Sequence, residues 1–456
     1  MANVQLSTNT LPDNEPSVAV NPENPKTIVA ASHRYHVTDT GDFAVYRSTD
    51  RGDSFSTSIL PVPTGFQFLG DPIVASGLGN IFLISGLSTV SRTIPPTTTS
   101  IIVYRSVDDG KTFSEPVLVS NPTIVTGIFD DKEDLHIDKS PASQFKGNAY
   151  VSYTRFTNNE NNSQILFQRS IDGGKTWSAP ISLTGVLNNP DLVQGSHIAV
   201  DRLGVVYVAW RETVGGITTF RVRRSDDGGV TFGTTITVSN ISMIPSPLPV
   251  TGWAFRTPTF AFIDTDNSNG SFSGRVYAVW QDNRSGTAHI LMSFSDNGGQ
   301  AWSTPQQVDD SPAGTENFFP FIAVSPDTGT INVIYYTNRV SNTLLDVFLA
   351  RSTNGGASFT VQRITDVSFN PNADTFFGNP STFIGDYIGA AVIPQLQKPN
   401  KGIDGLIAVW TDTRTGNQDI FANVTPATKS EPPKPPKPPK PPKPKPPKPK
   451  PRPPKP

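Results

Sequence analysis

The octapeptide SIDGGKTW, Ser170 to Trp177, recurs along the chain. SVDDGKTF starts at Ser106 and SDDGGVTF at Ser225, with looser copies STDRGDSF from Ser48, SDNGGQAW from Ser295 and STNGGASF from Ser352. Successive starts are 58, 64, 55, 70 and 57 residues apart. A repeat of that length constrains the architecture, because each unit must bury its apolar face against the next. Every copy follows a strand-like run (DFAVYRS, SIIVYRS, QILFQRS, FRVRRS, ILMSFS, VFLARS), and each of these follows another (TIVAAS, IFLISG, AYVSYT, VYVAW, VYAVW, INVIYY). A third short run lies upstream of each pair and a fourth follows the octapeptide, as in PVLVS, PISLT and TITVS. Helical periodicity is missing. Four short antiparallel strands recurring in this way are the pattern of a propeller blade.

A seventh strand pair, LIAVW then DIFANV, closes the series without an octapeptide. The expected fold class is therefore all-β, a β-propeller of seven four-stranded blades over residues 1–425. The strand-like NVQLST near Asn3 has no blade of its own. It is expected to be the outer strand of the last blade, which would close the ring and remove two free sheet edges.

Inside the octapeptide, glycines supply positive φ, and the Ser and Asp side chains accept bonds from turn N–H groups. Asp50, Asp108, Asp172 and Asp227 hold the acidic position, which Asn297 and Asn354 fill in two copies. Asn closes a turn but cannot serve as a general acid or base. All six are read as structural. The pattern S-x-D-x-G-x-T-W resembles the Asp-box, or bacterial neuraminidase repeat, of sialidase-like propellers. Segments such as DKEDLHID, VYVAWRE and FIGDYIG are similar to bacterial proteins described as sialidase-like. The resemblance implies a fold shared by exo-sialidases, other glycosidases, receptors and assembly factors, with the boxes on the face opposite the binding site.

Two sets of residues are expected on that opposite face. Glu15, Asp71, Asp131 with Glu133, His197, Arg256, Glu316, and Asp386 with Tyr387 stand at the entries to inner strands. Arg34, Arg155, Arg211, Arg284, Arg339 and Arg414 follow the second strands. Converging arginines would clamp a carboxylate through bidentate forks, and carboxylates beside them would supply acid and base. Arginines recurring as W-x-D-x-R, at Asp282 with Arg284 and Asp412 with Arg414, read equally well as local ion pairs bracing loops. The family resemblance implies three substrate arginines, an Asp acid, and a Tyr nucleophile activated by a Glu. By placement these roles fall to Tyr387, Glu316 and Asp71. The FRTP at Phe255 to Pro258 follows four boxes, whereas the family's arginine motif precedes the first, so the motif does not carry Arg256 across. Sialidase domains also have six blades.

Two functions remain open: a retaining exo-glycosidase of exo-α-sialidase type, or a non-catalytic propeller that binds glycan or protein. No cofactor and no metal is expected. DTDNSNG from Asp264 lacks the glycine position and final Glu of a calcium loop, and the His33/His36 pair is assigned to a loop without zinc spacing elsewhere. With no cysteine there is neither disulfide nor thiol chemistry. No run of 18 apolar residues is present, and MANVQLSTNTLPDNEP lacks the basic and apolar regions of a signal peptide.

The net charge of −2 conceals an asymmetry. From Lys429 onward ten basic residues face one acid, a net of +9, which leaves −2 − 9 = −11 for the body. Residues 426–456 form a second region, EPPKPPKPPKPPKPKPPKPKPRPPKP from Glu431, expected as polyproline II reaching roughly 80 Å at ~3.1 Å per residue. The expected partners are a glycan or other anionic ligand on the channel face, and for the tail an anionic surface such as cell-wall polymer, against an inert spacer. No aromatics interleave the lysines, so nucleic acid is not expected. A monomer at an extracellular or cell-surface location completes the reading.

Overall fold

The computed structural model describes residues 2–38, 40–91, 98–395 and 402–429. Every regular element among them is a β-strand. Asp13–Val20, Ile28–Tyr35, Gly41–Ser48 and Ser56–Leu60 pair antiparallel in chain order. Phe68–Ser76, Phe82–Ser91, Thr98–Ser106 and Val117–Leu118 do the same, joined to the previous set by one parallel bridge from Gly41 to Phe68. The order repeats in sheets whose first strands are Phe129–Ile137, Leu192–Val200, Phe262–Thr265 and Asn317–Val324.

The final sheet draws on both ends of the chain. Gly389–Ile393, Gly405–Asp412 and Asp419–Thr425 pair in sequence, and Val4–Gln5 adds the outer strand against Asp419–Thr425. Each first strand lies against the next sheet's first strand, and Gly389–Ile393 returns to Asp13–Val20. The sheets thus stand around a common axis, the arrangement of a propeller. Thr428–Lys429 pairs with Gly402–Ile403, so the paired chain runs past the boundary expected at residue 425. Residues 430–456, the bulk of the expected tail, lie outside the described residues.

Middle strands are sandwiched between two neighbouring sheets, which is why they read as continuous apolar runs rather than alternating ones. Ile28–Tyr35 and Val276–Asp282 are buried along their whole lengths. Trp210, Trp280 and Trp410 occupy matching places in three second strands, each fully buried.

The octapeptides behave as fasteners. Ser170 Oγ donates to Asp172 Oδ1 at 2.7 Å and accepts the Gly174 N–H at 2.9 Å, while Asp172 Oδ1 accepts the Thr176 N–H at 3.0 Å. The same set recurs at Ser48/Asp50, Ser106/Asp108 and Ser225/Asp227. Asn297 and Asn354 perform it with their amide oxygens. The glycine at the fifth position of each octapeptide lies flat on the preceding sheet. A Cβ on Gly110 would sit 2.4 Å from Val29, one on Gly174 2.9 Å from Leu83, and one on Gly229 2.6 Å from Phe167. Gly52 closes the cycle against Val424 of the final sheet. Arginines stitch the same seams: Arg47 Nε donates to Asp109 O at 2.7 Å and Arg105 Nε to Gly173 O at 2.8 Å.

Asp172→Asn is expected to fold with stability close to wild type, because Asn297 and Asn354 already make the same turn. Ser170→Ala orphans the buried Gly174 N–H and is expected to cost about 1–3 kcal/mol. Denaturant midpoints of the two variants measure this, and equal loss in both would show that the charge, not the turn, matters.

Candidate functional site

The inner strands carry a recurrent irregularity. Pairing slips between Asn14 and Ser17, Gly70 and Ile73, Asp131 and Asp134, Gln194 and His197, and Phe318 and Phe321. At each slip one residue takes positive φ: Glu15 (54°), Asp71 (60°), Lys132 (48°), Gly195 (71°) and Phe319 (49°). A bulge re-aims side chains that a regular strand would alternate, and left-handed backbone in non-glycine residues marks strain held by its surroundings. Pro16, Pro72 and Pro320 follow three of these residues, having no N–H to leave unpaired in the bulge.

The bulges gather charge around the axis. Asp386 meets Arg256 in a two-pronged pair, with Arg256 Nε to Oδ1 at 2.8 Å and Nη2 to Oδ2 at 2.5 Å. The Asp386 N–H donates to Glu15 Oε1 at 3.2 Å, and Gln194 Nε2 donates to Asp131 Oδ2 at 3.3 Å. Ser85 Oγ donates to Glu133 Oε1 at 3.2 Å. Lys132 Nζ stands 4.4 Å from the centroid of the Tyr387 ring and 5.4 Å from that of Phe260. Five carboxyls thus share two cations.

Their proton affinities follow from that imbalance. Burial, then the charge of Asp386, pushes Glu15 up to about 7. Burial pushes Asp131 up to about 6 against the bond from Gln194. Burial and a neighbouring carboxylate raise Asp71 and Glu133 well above the usual range. Burial lifts Tyr387 well above the ordinary phenol value, and the charges of Asp71, Glu15, Glu133 and Asp386 lift it further. Such an environment disfavours a phenolate.

A cavity of about 300 Å³ opens over the cluster, lined by Glu15, His33, Asp71 and Arg256. Tyr35, Phe68, Phe129 and Phe383 give it an aromatic wall. The aromatic wall is continuous: His33 stacks on Tyr35 at 3.8 Å, Tyr35 meets Phe377 at 4.9 Å, and Phe377 meets Phe383 at 5.2 Å. The Arg256 guanidinium sits 4.7 Å from the Phe383 centroid. Glu15, His33 and Asp71 each place a donor atom within 4.8 Å of the others, so among the described residues these three could hold a metal.

The structure brings together Glu15, Asp71, Asp131, Glu133, Arg256, Asp386 and Tyr387 from the inner-strand set. His197 lies farther along the channel, 3.9 Å from Asp134 and edge-on to Phe262. Glu316 is not a partner of Tyr387. Its Oε2 accepts the Ala288 N–H at 2.8 Å, and its own N–H donates to Asn338 Oδ1, so it braces the junction of two sheets.

The second-strand arginines do not converge. Arg34 Nε binds Asp13 Oδ1 at 2.9 Å, and Arg155 Nε binds Asp130 Oδ1 at 2.7 Å. Arg211 Nη2 donates to Gln194 Oε1 at 3.0 Å, and Arg339 pairs with Asp310. Arg284 and Arg414 grip Asp282 and Asp412, which also accept the Trp280 and Trp410 Nε1–H at 2.9 and 3.0 Å. Each W-x-D-x-R thus braces a loop, and Arg284 and Arg414 also reach Asn240 O and Asp366. Two cluster members escaped sequence reasoning. Lys132 stood unnoticed between Asp131 and Glu133, although a cation flanked by two acids at a strand entry was a signal. His33 was placed in a loop but belongs to strand Ile28–Tyr35 and is 1% exposed.

No protein-family model matches the chain. A xyloglucanase of Paenibacillus sp is 26% identical over 217 residues, covering 44% of this chain and 19% of that protein's own length. Among solved structures the chain is similar to the Penicillium chrysogenum α-L-arabinanase complexed with arabinobiose, with TM-score 0.47 and 14% identity over 93% of this chain and 98% of that one. It is also similar to a Hadza microbial sialidase, with TM-score 0.47 and 13% identity over 89% and 75% of the two chains. The Trypanosoma rangeli sialidase in complex with sialic acid gives TM-score 0.48 and 13% identity over 78% and 57%.

Proposed function

We propose that the chain is a seven-bladed propeller acting as a glycoside hydrolase on neutral glycans at the mouth of its central channel. The observation that carries this reading is a cluster of buried carboxyls, Asp131 and Asp386 among them, whose proton affinity burial raises, beside a cavity with an aromatic wall. Asp131, half-buried and two residues beyond Phe129 of that wall, is the proton donor; a carboxyl pushed up to about 6 is matched to mildly acidic catalysis. Asp386, locked in one orientation by Arg256, is the carboxylate that attacks or activates water. The aromatic wall would take the apolar face of a sugar ring.

The charge balance speaks against an anionic sugar. A sialoside carboxylate needs unengaged arginines, whereas Arg256 already holds Asp386 and the other six have local partners. Tyr387 fits the nucleophile role poorly in a ring of carboxyls that opposes its ionisation. The partial likeness to a xyloglucanase points the same way. To the basic region after residue 429 we assign attraction to an anionic surface outside the cell.

The test is a panel of aryl β-glucoside, β-xyloside and α-L-arabinofuranoside, with xyloglucan and a fluorogenic sialoside. Turnover of at least one neutral glycoside is expected, with kcat/KM falling above about pH 6. Asp131→Asn should lower kcat by roughly 10²-fold or more and remove that alkaline limb. The second reading, a binder without chemistry, draws on the local pairing of every second-strand arginine. Folded wild type that binds xyloglucan and cleaves nothing in the panel would establish it, and sialoside turnover would restore the sialidase reading.

A further inference from the structure

Three side chains on the cavity wall have no part in that reaction. Glu15 is 2% exposed and His33 1%, and Asp71 reaches them from the neighbouring sheet. Their donor atoms lie within 4.8 Å of one another. His33 Nδ1 stands 3.5 Å from Glu15 Oε2. That separation is long for a hydrogen bond. It is close to the gap between two ligands on one tetrahedral ion, roughly 3.3 Å for bonds of 2.0–2.1 Å.

A second observation comes from the segment that leads into Gly389–Ile393. The Tyr387 hydroxyl is buried, its residue 4% exposed, and has no hydrogen-bond partner. The two carboxylates whose charge acts on it most are Asp71 and Glu15. A buried hydroxyl with nothing to bond is costly unless something occupies the space it faces.

We propose that Glu15, His33 and Asp71 bind one divalent transition-metal ion of the Zn²⁺ or Mn²⁺ class, beside the unpartnered Tyr387 hydroxyl on which two of these ligands act. The donor set selects that class: two carboxylates alone would suit Ca²⁺ or Mg²⁺, but an imidazole nitrogen favours first-row transition metals. The imidazole is held ready, stacked on Tyr35, edge-on to Phe68 at 4.5 Å, with the bare Cα of Gly41 at its back. A dication here also offsets the surplus of carboxyls over Lys132 and Arg256. Bonded through Glu15 to the Asp386 N–H, it would fix the backbone at the reacting carboxylate. The site stands on its own geometry and does not require that the protein hydrolyse anything.

The experiment titrates EDTA-stripped full-length protein with ZnCl₂, MnCl₂ and CaCl₂ by calorimetry, with melting curves alongside. One Zn²⁺ or Mn²⁺ per chain is expected, at least tenfold tighter than Ca²⁺, with a rise in Tm at saturation. Asp71→Asn should weaken binding by roughly 10–100-fold yet melt no lower than wild type in EDTA, since it removes one of two facing carboxylates. His36→Ala, which lies outside the cluster against Asp42, should leave stoichiometry and affinity unchanged. Absence of one-to-one binding by either ion, tighter binding of Ca²⁺, or affinity untouched by Asp71→Asn each overturns the assignment. Because the readout is binding, an inactive but metal-loaded protein would sink the hydrolase reading alone.

Discussion

Lys132→Met is expected to destabilise the protein by about 3–5 kcal/mol at pH 7.5 in EDTA, the usual loss when one partner of a buried charge network is removed. Lys132 is 5% exposed and approaches Glu15, Asp71, Asp131, Glu133 and Asp386 electrostatically. Met retains the length and apolar bulk that pack on Tyr387, so the change isolates the charge. The loss should depend on pH. Glu15 and Asp131 have folded values of about 7 and 6 against ordinary values of 4.5 and 3.8. Groups raised on folding bind protons more tightly in the folded chain, so their contribution is full below about pH 4 and is lost as pH rises through 6 to 7. The variant should therefore approach wild-type stability at pH 5 and separate from it above pH 7. Melting temperatures across pH 4.5–8 measure this; a deficit equal at every pH would mean that Lys132 acts by packing alone.

How much of this was legible beforehand differs between fold and site. The octapeptide spacing and the two flanking strand runs were enough to place the sheets, because turn glycines with positive φ and apolar second strands are local signals that tertiary contacts reinforce. The end of the paired chain was set too early, since Thr428–Lys429 is a two-residue strand whose pairing depends on Gly402–Ile403 rather than on its own composition.

For the site, reading inner-strand entries found Glu15, Asp71, Asp131, Glu133, Arg256, Asp386 and Tyr387, because blade geometry places those entries at one mouth. Roles could not be read the same way. Glu316 occupies an equivalent entry, yet its carboxylate turns to the Ala288 N–H, a choice made by the neighbouring sheet. The arginines could be read either as ligand clamps or as local braces, and their partners were out of sight: Asp13 and Asp130, which neutralise Arg34 and Arg155, sit across the ladder from them, 21 and 25 residues away in sequence. Pairing at that range needs the strand register, which Asn14–Ser17 and Asp131–Asp134 each shift by a bulge.

Removal of residues 1–7 should open the ring. Val4 and Gln5 pair with Ala422 and Phe421, and the Leu6 N–H donates to Ile420 O at 2.7 Å. Ser7 Oγ donates to Asp419 Oδ1 at 3.0 Å and accepts the Ile420 N–H at 2.8 Å. Asn3 reaches the adjacent sheet, donating to Ile364 O and Asp366 Oδ2 and accepting the Asp366 N–H at 2.8 to 2.9 Å. Leu6 is 3% exposed, packed with Val18, Ile28 and Ile420. Burial of that side chain contributes about 2–3 kcal/mol, and the six side-chain and backbone bonds about 1 kcal/mol each, a combined loss of roughly 8 kcal/mol. That exceeds half of the stability ordinary for a domain, and it strips cover from Asp419–Thr425, whose bare edge invites pairing with a second chain. The truncated protein should elute as oligomers or aggregates and be cleaved rapidly by trace protease. A synthetic peptide of residues 1–9 added in trans should restore the monomer, because the groove it leaves is specific to that strand. A truncated chain that stays monomeric and protease-resistant without the peptide would mean that the contact of Gly389–Ile393 with Asp13–Val20 closes the ring unaided.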